Sequence, residues 1–217
     1  MRGAYGWTLS RLSVLGSTVS VMDERVDEDV VDEDWYGNEL SGMRFVDVRF
    51  SRVDFTEVRT GGLVFEDCRF ANCKFNVSEH RSSSFVACTF ARSSFFSATL
   101  DACKFSGSTF VDCVFQPITI IGGLWQGVTI RGTDLTKIKF AGADLRDADL
   151  SESDLTGADL SGCNLGHATL RNTQLAGADL TGAQLDAVDL RDAVLRDTKV
   201  DLNGAISVAA AYGAVLA

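Results

Sequence analysis

Proline is almost missing from this 217-residue chain: Pro117 stands alone, so no Pro-rich linker divides it. Long apolar runs are missing too; none approaches the ~18–20 residues of a membrane-spanning helix. Arg11 interrupts the apolar stretch near the N-terminus and no cleavage pattern follows it, so a secretory signal is not expected and a cytoplasmic protein is. Basic residues are in deficit, with 20 Lys and Arg against 30 Asp and Glu and a net charge of −10. A polyanion is repelled by nucleic acid and by anionic membranes, which argues against direct binding to either. There is no CxxC pair, no Cys–His pair at ligand spacing, no Gly-rich phosphate loop and no nucleophile elbow. The two histidines, His80 and His167, have no paired nucleophile. Neither enzyme activity nor a metal or cofactor is expected.

What the chain does have is a period of five. Every fifth residue from Leu40 to Val200 is large and apolar at 31 of 33 positions, the exceptions being Thr60 and His80. Phenylalanine dominates from Phe45 to Phe115, and leucine holds the position from Leu145 to Leu195. Thirteen of the 14 phenylalanines fall on this register; Phe96 does not. Two residues before each centre the chain is mostly small or β-branched, as at Val48, Ala98 and Ala143. All six cysteines (Cys68, Cys73, Cys88, Cys103, Cys113 and Cys163) share that slot, so they read as buried free thiols.

A period of five fits neither an amphipathic helix nor a simple strand. It fits a short extended segment and a bend, repeated as one side of a coil with two residues inward and three outward. Stacked coils then bury their inward columns at ~4.8 Å spacing, and one repeat alone buries nothing, so the array folds as an array. Thr60 and His80 lie 20 residues apart, as do Cys68 and Cys88, which favours four sides per coil. His80, at a core centre, is expected as a buried, hydrogen-bonded imidazole. The expected class is all-β: a right-handed quadrilateral parallel β-helix with a short C-terminal helix.

The units Ala143-Asp144-Leu145, Ala148-Asp149-Leu150, Ala158-Asp159-Leu160, Cys163-Asn164-Leu165 and Ala178-Asp179-Leu180 carry an A(D/N)LXX pattern. In this the chain resembles the pentapeptide-repeat family. The unbroken register, the off-pattern Glu79-His80-Arg81, the Phe115-Gln116-Pro117 step and the alanine-rich tail Ala205–Leu216 resemble, more narrowly, the mycobacterial fluoroquinolone-resistance proteins of MfpA type. That resemblance implies a homodimer joined at the C-terminal end, a rod of DNA-like width, and DNA gyrase as the partner, bound in place of DNA. Plasmid-borne gyrase-protecting relatives carry loops that interrupt the repeats, and this chain has none.

Three segments are expected: an acidic, partly disordered extension over 1–37, the β-helix over 38–200, and a helical cap and dimer contact over 201–217. Met22, which opens the acidic run Asp23–Asp34, is an alternative translation start. Residues 141–217 hold 12 acidic and 5 basic residues, whereas 36–140 hold 10 and 12. The densest acidic stretch is Asp144, Asp147, Asp149, Glu152, Asp154 and Asp159, expected as an acidic partner-binding face. An Asp beside the central Leu has a plainer use as well, in shaping the bend. At the end of the chain, Asp201 is placed to cap a helix running to about Tyr212. Ile206, Val208, Tyr212, Val215 and Leu216 supply more apolar surface than a cap needs, which points to an isologous dimer contact.

Overall fold

The computed structural model describes residues 23–215. The described residues form fifteen short strands and one helix, and every strand pairing is parallel with a step of 20 residues, as in Phe45 beside Phe65 and Phe50 beside Phe70. The chain is therefore a four-sided coil. The first side holds β1 (Asp23–Val26), β4 (Met43–Val46), β7 (Val64–Glu66) and β10 (Ser84–Val86). The second side runs from β2 (Asp29–Val31) to β15 (Thr129–Ile130), and the fourth from β3 (Glu39–Ser41) to β14 (Ile118–Ile121). The third side is a ladder of single bridges, Asp34–Asp54–Lys74–Ser94–Val114. Beyond residue 130 all sides continue as single bridges with the same step, ending at Asp179–Lys199.

The corners explain the period. The residue two after almost every centre has positive φ, as at Asp67 (54°), Arg92 (49°) and Gly157 (66°); Pro117 and Asp192 are exceptions. A left-handed residue turns the strand through the corner, and glycine, Asn and Asp adopt that conformation most easily. In the Leu-centred half the residue before the centre helps: Asp154 accepts from the Thr156 N–H at 2.9 Å and Asp179 from the Thr181 N–H at 3.0 Å. These Asx bonds give the aspartate of the A-D-L unit its structural role.

The interior is layered. Phe45, Phe65, Phe85 and Phe105 stack face to face along the first side, with centroids 4.8–4.9 Å apart. Phe50, Phe70, Phe90 and Phe110 do the same on the second side, and Phe55, Phe75 and Phe95 on the third. Columns on adjacent sides meet edge-on, as for Phe90 and Phe95 at 5.4 Å and 68°. Offset stacks along the axis and edge-to-face contacts across it are both favourable aromatic arrangements.

The small inward slot works by hydrogen bonding as well as by size. Each cysteine thiol there donates to the carbonyl of a core centre one coil earlier: Cys73 to Phe50 at 3.5 Å, Cys103 to His80 at 3.2 Å, Cys163 to Phe140 at 2.9 Å. Ser108 and Thr173 make the same bond, to Phe85 at 2.6 Å and Leu150 at 3.0 Å. Cys, Ser and Thr alternate in this slot because each is small and each carries a donor. All six cysteines are buried and free. Burial pushes the thiols of Cys73, Cys103 and Cys113 up to about 11 and that of Cys163 up to about 12, so they stay protonated.

The expected start of the coil at residue 38 needs correction. The solenoid is already formed at Asp23, and the acidic run Asp23–Asp34 is strand and corner of the first coil, not a disordered tail. Val30 and Trp35 fill buried core centres there. Arg25 occupies the remaining centre, half-buried, with its guanidinium 6.0 Å from the Phe45 ring centroid and 2.6 Å from Glu28. Glu33 accepts from the Trp35 indole at 2.7 Å. The acidic residues are held by arginines one coil on: Arg49 on Asp29 at 3.2 Å and Arg52 on Asp32 at 2.5 Å. The alternative start at Met22 and the sequence before it lie outside the described residues.

At the other end, α1 (Leu202–Ala211) is capped by Asp201, whose carboxylate accepts from the Gly204 N–H at 2.8 Å. Val208 and Ala211 pack against the core and close the last coil.

Candidate partner-binding surface

Successive repeats lie on successive sides, so the six acidic residues from 144 to 159 do not form one face. Asp144 lies on the first side, Asp149 on the second, Asp154 on the third and Asp159 on the fourth; Asp147 and Glu152 sit at the two corners between the first three. They ring one coil. A face is built instead from residues 20 apart, a rule the linear clustering of acids obscures.

Within that ring the charges differ in freedom. Asp144 is clamped by Arg146 at 2.6 Å, which holds its carboxyl below the usual carboxylate range. Asp149 lies 3.6 Å from Arg131, and Glu152 accepts from Arg131 and Arg171 at 3.4 and 3.3 Å. Asp147, Asp154 and Asp159 carry no ion pair among the described residues. The N-terminal coils are more fully neutralised: Arg44 bridges Glu24 and Glu66, Arg69 meets Asp47 at 3.3 Å, and Lys74 meets Asp54 at 3.2 Å. Exposed carboxylates therefore outnumber their counter-charges in the second half of the rod.

The residues proposed for dimerisation divide in the same way. Ile206 and Val208 are partly buried, Val208 as part of the cap. Tyr212 and Val215, at the end of α1, are 64% and 91% exposed, and Leu202 at its start is 77% exposed. Leu216 lies outside the described residues.

His80 is a structural residue. Its Nδ1 lies 2.8 Å from the Thr60 hydroxyl and its Nε2 3.0 Å from the Ser78 hydroxyl. Because Ser78 donates its proton to the Phe75 carbonyl at 2.7 Å, the proton between the other pair belongs to Nε2, and Thr60 donates to Nδ1. Burial lowers the imidazole to about 4, so it is neutral. The two polar centres that break the register thus satisfy each other on stacked coils, Thr60 also meeting Ser83 at 2.8 Å. Among the described residues no group of His, Cys, Asp and Glu is arranged to hold a metal ion, and no helix is long and apolar enough to cross a membrane.

The model of the pentapeptide-repeat family matches residues 126–162 and 158–197, the Leu-centred half. The model of the SV2A/B/C luminal domain matches residues 26–115, the Phe-centred half. No curated protein sequence matches the chain. Two trypsin-treated forms of QnrB1, a plasmid-mediated fluoroquinolone resistance protein, share the fold: one at 20% identity and a TM-score of 0.64 over 89% of this chain and all of that one, the other at 19% and 0.60 over 89% and 98%. The step of 20 residues runs without a break through both halves, from the ladder of Phe rings to the A-D-L units. Residues 126–197 thus match the pentapeptide-repeat family, and the same coil continues through the Phe-centred half.

Proposed function

We propose that this protein is a non-catalytic, cytoplasmic binding rod that engages DNA gyrase where DNA would lie and so lowers fluoroquinolone sensitivity. The observation that carries the reading is the ring of carboxylates on all four sides of one coil, with Asp147, Asp154 and Asp159 free of ion partners among the described residues. B-DNA presents one charge per ~1.7 Å of axis, and a stiff rod with acids at a coil rise of ~4.8 Å is a sparser object of the same kind. The fold shared with a fluoroquinolone resistance protein supports the same reading. Two copies joined through Leu202, Tyr212 and Val215 would double the rod and cover apolar surface that the cap leaves bare.

The test is gyrase supercoiling and ATPase activity with the pure protein, at low and high salt. Micromolar protein should change both, less so as salt rises. Replacing Asp144, Asp149, Asp154 and Asp159 together by Asn should weaken the effect at least tenfold. Asn keeps the Asx bond, as Asn164 does on the Gly166 N–H at 3.1 Å, so the fold survives the change. No effect of the unmodified protein would remove the reading. A scaffold for a different partner is favoured by one observation, the ion pairing of most N-terminal acids with arginines and lysines on neighbouring coils. Capture of gyrase by a fragment-free, full-length bait separates the two readings.

A further inference from the structure

Phe96, the one phenylalanine off the register, points outward on the third side and is 48% exposed. It is not alone. Val77, 49% exposed, lies one coil before it, its N–H bonded to the Phe96 carbonyl at 2.8 Å. Val114, 51% exposed, lies one coil after, its carbonyl accepting from the Phe95 N–H at 2.8 Å. Exposed Pro117 follows, accepting from the Ser97 N–H at 2.6 Å. These four side chains cross three consecutive coils as one apolar patch. Between Lys74 and Asp134 the outward positions of this side and of its corner with the fourth side carry no charge: Asn76, Val77, Ser94, Phe96, Ser97, Val114, Gln116, Pro117.

The two ends of this side are acidic. Asp34, Asp54 and Glu57 precede the patch with Lys74 as the cation, which is tied to Asp54 at 3.2 Å. Asp134 and Asp154 follow it with Lys137. No arginine stands on this side between Asp34 and Leu195, unlike the second side, where Arg49, Arg69, Arg131, Arg171 and Arg191 are interleaved with the acids. An apolar centre between acidic ends selects a complement with an apolar centre between basic ends. A second copy is a poorer complement: a two-fold axis through Phe96 would set Asp54 of one chain against Asp134 of the other and Asp34 against Asp154, with only Lys137 near Glu57 to offset them.

We infer that the third side is the docking face of this rod, and that its occupant is a partner-protein segment presenting apolar side chains flanked by Lys or Arg, with Phe96 at the centre of the contact. A buried aromatic inside a polar rim is the usual form of an interaction hot spot. The patch deepens the gyrase reading by naming the face a partner would meet, and rests on that reading only for the partner's identity.

The probe is a labelled synthetic peptide with three leucines flanked on each side by lysines, titrated into the full chain and followed by anisotropy and NMR. Resonances of Val77, Phe96 and Val114 should shift together, and Phe96→Ser should weaken binding at least fivefold. Leu124→Ser, an exposed apolar residue on the first side, should leave binding unchanged. Asp54→Asn with Asp134→Asn should flatten the salt dependence. A footprint on the acidic first coil, or equal binding by Phe96→Ser, would overturn the inference. Gyrase is run in parallel. If it binds the unmodified protein and Phe96→Ser equally, the assignment of the face is wrong and the gyrase reading stands. If it binds neither, the gyrase reading is wrong and the peptide footprint alone decides the face.

Discussion

The two halves of the rod solve one packing problem with different side chains. From Phe45 to Phe115 the inward columns pair large Phe with Cys, Val or Ser; from Phe140 to Leu195 they pair Leu mostly with Ala. All named strands lie at or before Ile130, and later coils are joined by single bridges. Stacked rings set face to face keep long stretches of adjacent coils in register, whereas Leu–Ala layers are pinned mainly at the centre and by the Asx bond at each turn. Charge differs too. The first half pairs many of its acids with arginines one coil away, as in Arg52 on Asp32, and residues 36–140 hold 12 basic to 10 acidic residues, while the second half, with 5 basic to 12 acidic over 141–217, leaves Asp154 and Asp159 without an ion pair among the described residues. One half is suited to holding shape and the other to offering charge.

The largest expected effect tests the core of each half. Phe90→Ala should cost about 3–5 kcal/mol and Leu160→Ala about 2–5 kcal/mol, measured by urea denaturation. In a quasi-one-dimensional array, hydrogen exchange should show the loss spreading mainly within the half that carries the change. Exchange accelerated equally from end to end would mean that the rod unfolds as one unit and the halves are not distinct.

Next in size is the pH response between about pH 6.5 and 4, which His80 gives to the first half. His80 is neutral when folded, at about 4, against 6.5 for the free side chain. The unfolded chain binds the extra proton as pH falls below about 6.5, so stability is complete above that value and declines down to about 4. The total is about 3 kcal/mol at most. Replacing Thr60 by Leu and His80 by Phe together should flatten this window without loss of stability at pH 7, since both polar partners leave together. Thermal melts between pH 7 and pH 4 would show it; an unchanged slope in the double variant would place the pH response elsewhere.

A smaller effect concerns the ion lattice. Arg52→Gln should lower the melting temperature slightly in dilute buffer and not at 1 M salt, where exposed pairs are screened. Neutralising Asp154 to Asn in the second half should leave melting unchanged or raise it slightly, because that carboxylate has no counter-charge to lose. The smallest effect should come from Cys113→Ser, since Ser93 already makes the same bond to the Phe70 carbonyl at 3.4 Å that Cys113 makes to Phe90 at 3.5 Å. A large loss there would mean that thiol volume, not the donor, matters in that slot.

The register from Leu40 to Val200 was legible because every inward residue announces itself by size. Four sides per coil followed from Thr60 and His80, which do meet. The first coil was not legible. Arg25 sits where a Phe would be, and Asp23, Glu28 and Glu33 stand where small residues would be, so the segment reads as a charge run. Only the match of Asp29 and Asp32 to Arg49 and Arg52 at a distance of 20 could have signalled it. The six acids from 144 to 159 were found, but as a face. Distance along the sequence says nothing of side when each repeat turns a corner. The apolar patch around Phe96 was hidden for the same reason: Val77, Phe96 and Val114 are far apart in the chain and adjacent only once coils stack.

The most direct measurement of the central claim is displacement of a labelled DNA duplex from gyrase, followed by anisotropy as the pure protein is added. The account predicts that micromolar protein releases the duplex, that release weakens as salt rises, and that the fourfold Asp-to-Asn variant at 144, 149, 154 and 159 releases little. Gyrase that keeps its DNA at every protein concentration, or that loses it equally to the neutralised variant, would contradict it.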